Sequence, residues 1–216
     1  MLYDKDMKAA LWCAYAMNKG SYPRTITSRD DDWNYDPAID KSWQPNMSSS
    51  YNGNYDRGHQ VANNDRRTTI YQMYQTDYYS NMTPQLHDFN SGASTEWDEL
   101  EGKIQTLGYS TSGSDTLYVV TGALFDSGYS STTDKSGVSC PIPTRYYKCI
   151  MKVHFNNGVA QSAQGAAYLV QHQLNAPIQT MKIDDLESET GFNFFANIPD
   201  SIQNAAEGTL TTFFTF

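Results

Sequence analysis

Residues 55–60 read Tyr-Asp-Arg-Gly-His-Gln, and the rest of this chain of 216 residues is best interpreted around them. A second stretch, Ser-Asn-Met-Thr-Pro-Gln at residues 80–85, leads to Asn90 and then to Trp-Asp-Glu-Leu-Glu at residues 97–101. These segments together hold a candidate general base, a candidate metal ligand and a cation suited to a phosphate group. The remaining residues are interpreted as the scaffold that brings them together.

The residue types in these segments are those needed to cleave a phosphodiester. His59 is the candidate base, because an imidazole group has an unperturbed pKa of roughly 6.5, near the working pH of most enzymes. Arg57 and Arg29 suit phosphate contact, since a guanidinium group binds phosphate oxygens as a planar pair of donors. Asn90 offers a neutral oxygen to Mg²⁺, which often takes only one or two protein ligands. Glu101 is suited to hold the waters of such an ion.

Two other residues complete the central stretch. Asp56 is interpreted as orienting a neighbouring ring or arginine. Gly58 is interpreted as letting the backbone pass close to a substrate or adopt a positive φ. Taken alone, however, Asp-Arg-Gly-His is equally typical of a surface turn whose Asp–Arg pair is an ordinary ion pair. The residue types by themselves therefore leave a catalytic site and a plain turn both open.

Composition and charge exclude several classes of protein. No run approaches the roughly 18 apolar residues of a membrane span, so no membrane partner is expected, and the polar start lacks the apolar segment of a signal peptide. The net charge of −9 argues against a protein that coats nucleic acid through its overall charge, although a locally basic cleft remains compatible with it. Cys13 and Cys149 are predicted to be buried apolar side chains, with a Cys140–Cys149 bridge as an unsupported alternative.

Periodicity and turn signals predict one α+β domain over residues 1–216. The strongest signal is a hairpin of two long strands at residues 145–155 and 159–170, joined by Asn-Asn-Gly. The long segment 18–54 is predicted to be a functional loop, and residues 124–144 a surface loop. The other predicted strands are at residues 8–17, where helix is the competing interpretation, 117–121 and 193–196. Helices are predicted at 64–79, capped by Asn64, and at 95–107, capped by Thr95 and stopped by Gly108. Two more helices are predicted at 182–189, closed by Gly191, and at 200–208, capped by Asp200.

Read together, the ordered motifs resemble the DNA/RNA non-specific endonucleases, a family that includes secreted bacterial nucleases and mitochondrial endonuclease G. That family carries a D-R-G-H motif, then a segment like S-N-x-x-P-Q, then an N…W…L-E helix. The resemblance covers most of residues 10–205. The matching positions are residues 56–59, residues 80–85, Asn90, Trp97, Leu100 and Glu101, with further similarity at 33–38, 118–122, 142–148 and 198–200.

The resemblance implies a central antiparallel β-sheet flanked by helices, with a ββα-metal (His-Me finger) site. It further implies that His59 is the general base, that Asn90 binds Mg²⁺ directly and that Glu101 acts through water. Arg57 and an upstream arginine would contact the phosphate. The expected activity is cleavage of DNA and RNA with little sequence preference, leaving 5′-phosphates, with Mn²⁺ as a substitute for Mg²⁺.

Two departures from the family pattern bear on this assignment. Six residues, Ser91 to Glu96, separate Asn90 from the tryptophan, a longer spacing than is usual. This predicts either a small inserted loop or a longer helix. Glu101 is the preferred acid in both cases, and the rivals are Asp98 and Glu99.

The second departure is the acidic run Asp-Asp-Asp at residues 30–32, beside Arg29. Arg29 is the nearest match to the upstream phosphate arginine, and Arg24 is the rival. Three acids next to Arg29 are expected to compete with the substrate for it.

A second function remains open alongside the nuclease: a catalytically silent family member that binds nucleic acid or a protein partner. The net charge and the acidic run favour it, whereas the joint presence of His59 and Asn90 does not.

A secreted or periplasmic location suits a nuclease that would otherwise damage its host. Whether the chain is a monomer or a homodimer stays open. The side chains interpreted as surface or structural are His87, His154, His172, Arg66 and Arg67.

Overall fold

The computed structural model describes residues 1–91 and 96–216, and within them six strands form one antiparallel sheet. In chain order the strands are β1 (Leu2–Asp4), β2 (Ala9–Met17), β3 (Tyr55–His59), β4 (Met82–Leu86), β5 (Asp115–Leu124), β6 (Ser131–Thr133), β7 (Ser139–Pro141), β8 (Arg145–Asn156), β9 (Val159–Gln171) and β10 (Gln179–Met181). The large sheet has the spatial order β1-β2-β5-β8-β9-β10, and β3–β4 and β6–β7 form separate pairs.

Helices cover both faces of this sheet. They are α1 (Ile70–Thr76), α2 (His87–Asn90), α3 (Glu96–Ser110), α4 (Ile183–Thr190) and α5 (Asp200–Glu207), with short 3₁₀ turns at Lys41–Trp43, Asn63–Arg66 and Tyr79–Asn81. Side chains alternate across a strand, so Tyr146 of β8 faces the core that contains α3, while Tyr147 faces the core that contains α4 and α5. The predicted α+β class with a flanked antiparallel sheet is confirmed.

The β3–β4 pair and α2 form a small unit beside the large sheet. The two strands are antiparallel, with His59 opposite Met82, and α2 begins directly after β4. The side chain of Asn81 ties this unit to α1: its amide oxygen accepts from the backbone N–H of Val61 at 2.9 Å, and its amide nitrogen donates to the carbonyl of Thr76 at 2.7 Å. These contacts fix the strand that carries His59.

The strongest local prediction, the long hairpin, is confirmed by the β8–β9 pair. Asn157 and Gly158 form its turn with φ values of 50° and 78°, the left-handed conformation that Asn-Gly favours in two-residue hairpins. The strand predicted at residues 8–17 is confirmed as β2, and α4 ends at Gly191 with φ of 73°, as predicted.

Several element boundaries differ from the prediction. The helix expected at residues 64–79 is a 3₁₀ turn followed by α1, and its cap is Thr69 rather than Asn64, because the Thr69 hydroxyl accepts from the N–H of Gln72. The strand expected at 193–196 is absent from this described segment, since Phe195 has φ of 56°, which interrupts an extended chain.

Gly108 does not stop α3, which continues to Ser110; the expected cap at Thr95 lies outside the described residues. A Cβ atom on Gly108 would lie 2.5 Å from the sulfur of Met17, so this glycine lets the helix approach β2 closely. The strand predicted at 117–121 extends over all of β5, and the expected surface loop 124–144 contains β6 and β7.

The three cysteines are buried and free, so the alternative of a Cys140–Cys149 bridge is wrong. Outside residues 92–95, none of the helices combines the length and the apolarity needed to cross a bilayer.

Candidate active site

The structure brings the side chains predicted for the site into one open cleft of about 410 Å³. The residues that line it come from the long loop 18–54, from β3, from the segment 62–67 and from α2 and α3. Its lining includes all six of the predicted residues: Arg29, Asp56, Arg57, His59, Asn90 and Glu101.

His59 ends β3 and is held between an aromatic ring and a carboxylate. Its ring centroid lies 5.4 Å from that of Trp33. Its Nε2 atom lies 3.1 Å from Oδ1 of Asp77, whose side chain is fully buried. The base predicted from the sequence is therefore a constrained side chain at the cleft wall.

Asp56 contacts three neighbouring side chains through one carboxylate oxygen. Its Oδ2 atom accepts from the amide nitrogen of Asn90 at 3.0 Å and from the hydroxyl of Ser91 at 3.1 Å, and it lies 3.0 Å from Nδ1 of His87. Because the Asn90 nitrogen is engaged in this way, its amide oxygen is the atom left to face a cation. Asp56 thus orients an amide and a ring, where the sequence predicted a ring or an arginine.

Arg57 and Arg29 flank Trp33. The Arg57 guanidinium carbon lies 3.7 Å from the centroid of the Trp33 ring, and Nη1 donates to the carbonyl of Met47 at 3.3 Å. Burial lowers the pKa of Arg57 from its usual value, which still leaves an arginine charged at neutral pH. Of the two upstream candidates, Arg29 lines the cleft, whereas Arg24 points to Asn64 at 3.5 Å.

The acidic run beside Arg29 is largely engaged within the protein. Asp31 pairs directly with Arg29, so the expected competition for this arginine has a structural basis. Asp30 accepts from the hydroxyl of Tyr74 at 2.6 Å, and Asp32 accepts from the side chain of Asn34 at 2.7 Å. Only one of the three acids therefore contacts the candidate phosphate arginine.

Glu101 projects from α3 towards the cleft and meets a buried lysine. Its Oε1 atom lies 3.1 Å from Nζ of Lys148, whose side chain is 1% exposed and also lies over the Trp97 ring at 4.7 Å. This ion pair lacks hydrogen-bond geometry, and the same oxygen is buried without a hydrogen-bond partner. Among the described residues, Glu101 lines the cleft, while Asp98 and Glu99 do not.

The spacing between Asn90 and Glu101 is accommodated by two helices. Asn90 is the last residue of α2, and Ser91 leaves the helical conformation with φ of −142°. Glu101 lies in the second turn of α3. The alternative of one continuous helix is therefore wrong.

An oxygen-rich donor set of this kind fits a hard cation. The amide oxygen of Asn90 is available, and the Oε1 atom of Glu101 is a buried acceptor whose near neighbour is the Lys148 ammonium rather than a hydrogen-bond donor of ideal geometry. A separate group of carboxylates, on Asp184, Glu187 and Glu207, lies on α4 and α5, across the sheet from α3. Burial raises the pKa of Glu207 to about 7, and this group is remote from the cleft.

Two residues at or behind the cleft were not found from the sequence. Asp77 carried no recognisable pattern, since it lies just before the second motif and is not part of it. Arg67 was predicted to lie on a solvated helix face, which is wrong: it is 6% exposed, lines the cleft and donates to the side chain of Asn63 at 3.1 Å.

Gly58 lies in an extended strand and its φ is not positive, so its backbone conformation does not require glycine. The close approach of a neighbouring side chain does. A Cβ atom there would lie 2.2 Å from Cγ of Gln85 on β4.

Gly58→Ala is therefore expected to lower the free energy of unfolding by about 1–3 kcal/mol through overpacking. Gly102→Ala on α3 is the control for urea denaturation, since its Cβ meets nothing within 4 Å. Equal stability of Gly58→Ala and the wild type would contradict this account.

The antiparallel β3–β4 pair followed by α2, with a histidine at the end of β3 and an asparagine at the end of α2, is the ββα arrangement expected of His-Me finger nucleases. A sequence model of the DNA/RNA non-specific endonuclease family matches residues 1–201. The chain belongs to the DNA/RNA non-specific endonuclease family and is a nuclease, an enzyme that hydrolyses nucleic acids.

Individual relatives agree with this membership. The chain is 31% identical to a nuclease of Serratia marcescens over 91% of its own length and 72% of the relative. It is 25% identical to the human mitochondrial endonuclease G, over 92% and 67%. A solved EndoG/EndoGI complex contains a chain that superposes with a TM-score of 0.71 at 23% identity, covering 93% of this chain and 84% of that one, which is evidence for the fold.

Proposed function

We propose that this chain is a Mg²⁺-dependent endonuclease that hydrolyses the phosphodiester bonds of DNA and RNA without sequence preference. The observation that carries the proposal is the convergence of His59, Asn90 and two arginines on one open cleft. Each of these residue types has a distinct task in phosphodiester hydrolysis, and the family relationship agrees with that chemistry.

His59 is proposed as the general base. It takes a proton from a water molecule as the water oxygen forms a bond to phosphorus. The bond between phosphorus and the 3′ oxygen then breaks, which leaves a 5′-phosphate on one product. The departing oxygen receives a proton from solvent. Trp33 and Asp77 restrict the ring, so that little ordering of His59 is required at the moment of reaction.

Arg57 and Arg29 are proposed to hold the phosphoryl oxygens. Contacts to phosphate carry no base identity, so a site built on two guanidinium groups accepts DNA and RNA alike. Arg57 is braced by Trp33 and by the Met47 carbonyl. Arg29 must exchange its pairing with Asp31 for the substrate, which makes Arg57 the more important contact of the two.

Asn90 is proposed to hold the metal ion through its amide oxygen, with Glu101 acting through the waters of the ion. A bound Mg²⁺ supplies positive charge that offsets the negative charge developing on the phosphate and the leaving oxygen. Asp56 fixes the Asn90 amide from behind, and Lys148 keeps the Glu101 carboxylate at the cleft edge. Mn²⁺ is expected to substitute, since it accepts the same oxygen ligands.

A secreted or periplasmic location is proposed as well. Support comes from a bacterial nuclease among the relatives and from the damage that unrestricted nuclease activity would do to its own host. Activity in the culture supernatant or the periplasmic fraction, with a cytoplasmic marker absent from it, would agree. Confinement of activity to the cytoplasm would contradict it.

The proposed function is tested by digestion of supercoiled plasmid and of total RNA with the purified chain in Mg²⁺, in Mn²⁺ and in EDTA. We expect both substrates to be cut with either metal and neither in EDTA. End-labelling of the products should detect 5′-phosphates. A folded protein that binds nucleic acid but cuts nothing with any metal would instead identify the catalytically silent binding module.

A further inference from the structure

The buried acid Asp77 lies directly behind the candidate base and belongs to neither sequence motif. Its side chain is 0% exposed, and its Oδ1 atom lies 3.1 Å from Nε2 of His59. It follows the last residue of α1, and its backbone N–H donates to the carbonyls of Tyr74 and Gln75, so the main chain is fixed as well. A carboxylate held in this way presents a fixed acceptor to the ring.

Two further contacts hold the Asp77 carboxylate in place. Its Oδ2 atom accepts from the backbone N–H of Asp32 at 3.2 Å. A guanidinium nitrogen of Arg29 lies 3.8 Å from Oδ1. An ionised carboxylate accepts hydrogen bonds and cannot donate one. The other charged groups near the ring are Asp31, which pairs with Arg29, and Arg57, which shares the Trp33 face.

We propose that Asp77 is the positioning residue of the general base: it accepts the Nε2–H of His59 and so leaves Nδ1 as the nitrogen that takes the proton from water. An imidazole ring with its proton on Nε2 has its lone pair on Nδ1. Asp77 therefore fixes both the ring orientation and the tautomer. As His59 gains a proton during the reaction, the adjacent carboxylate also stabilises the positive ring, as in other histidine–carboxylate pairs.

The same carboxylate connects the base to the candidate phosphate arginine. Arg29, Asp32 and His59 reach Asp77 from two separate segments, the long loop and β3. The loop that carries Arg29 is thus attached to the base through the Asp77 side chain as well as through Trp33. This inference goes beyond the nuclease activity itself, but its catalytic part rests on His59 being the base as proposed above.

The first test observes the tautomer in the wild-type protein without metal or substrate. The chain has 4 histidines, so ¹⁵N-histidine labelling with long-range ¹H–¹⁵N spectra resolves each ring, and His59→Gln identifies the signals of His59. We expect a neutral His59 ring with its proton on Nε2. A proton on Nδ1 would overturn the proposal, and this holds whether or not Asp77 variants fold.

The second test compares the kinetics of Asp77→Asn with those of the wild type. An amide keeps the shape of the side chain but removes its charge and can present a donor to Nε2. We expect kcat to fall about 100-fold, with KM changed little and the His59 signals shifted towards the other tautomer. The control is Asp115→Asn, which breaks a second histidine–carboxylate contact, to His154 at 2.7 Å, outside the cleft. Its kcat should match the wild type.

The outcomes separate this proposal from the proposed function. An unchanged kcat in Asp77→Asn, or a fall in kcat with no change in the His59 tautomer, would overturn the positioning role. A wild-type chain that cleaves nothing would overturn the proposed function, while the tautomer measurement would still decide whether Asp77 orients His59.

Discussion

Replacing His59 with alanine is expected to lower kcat by about 10³-fold or more, because general base catalysis contributes roughly 10²–10⁴-fold and no second histidine lines the cleft among the described residues. His87 contacts Asp56 but is not one of the lining residues. The substitution removes the His59 contact of the buried Asp77 carboxylate, which should cost about 1–3 kcal/mol of stability. The variant should still unfold cooperatively, and plasmid cleavage rates beside a thermal melt measure both effects.

The matched control for this change is His154→Ala. His154 is exposed, contacts Asp115 and lies outside the cleft, so its removal should leave kcat unchanged. Added imidazole should restore part of the activity of His59→Ala, because it fits the space vacated by the ring and supplies the missing base. Activity within tenfold of the wild type in folded His59→Ala would show that another group accepts the proton.

The parts of the fold that were predicted best are those whose signals are local. The β8–β9 hairpin depends on two adjacent residues in its turn and on apolar strands next to it. The helix over residues 64–79 was predicted less well, because apolar spacing does not reveal where a 3₁₀ turn gives way to α1. There the Thr69 cap decided the boundary through one side-chain contact.

In the candidate site, too, the residues predicted from the sequence are those with a local signal, and the residues missed are those that depend on tertiary contacts. Residues inside the motifs, such as His59 and Asn90, were found because their order along the chain resembles a family. Asp77 and Lys148 were not assigned roles, since each contacts a motif residue from a position outside the three motif segments. Neither has a spacing that a sequence window detects. The residues that support a catalytic group are fixed by tertiary packing, and they require a structure to be seen.

Replacing Asn90 with alanine should impair metal use more than folding. Mg²⁺ keeps most of its waters and relies on very few protein ligands, so the loss of its one proposed direct ligand removes much of the charge that the ion supplies. We expect cleavage at fixed Mg²⁺ to fall by about 10²–10³-fold, equivalent to about 3–4 kcal/mol of transition-state stabilisation. The Mg²⁺ concentration for half-maximal rate should rise at least about tenfold. A Mg²⁺ titration of the cleavage rate measures both.

Asn64→Ala supplies the comparison that makes this result specific. Asn64 is another amide on the wall of the same cleft, and its side chain contacts Arg24 at 3.5 Å. The Asn64→Ala change removes an amide from the cleft but leaves Asp56 and the proposed ligand Asn90 in place. The Mg²⁺ dependence of this variant should therefore match that of the wild type. If both variants shift the Mg²⁺ midpoint equally, the effect belongs to the polarity of the cleft rather than to ligation. If neither does, the ion is held elsewhere, and Glu101, which also lines the cleft, becomes the direct ligand to test.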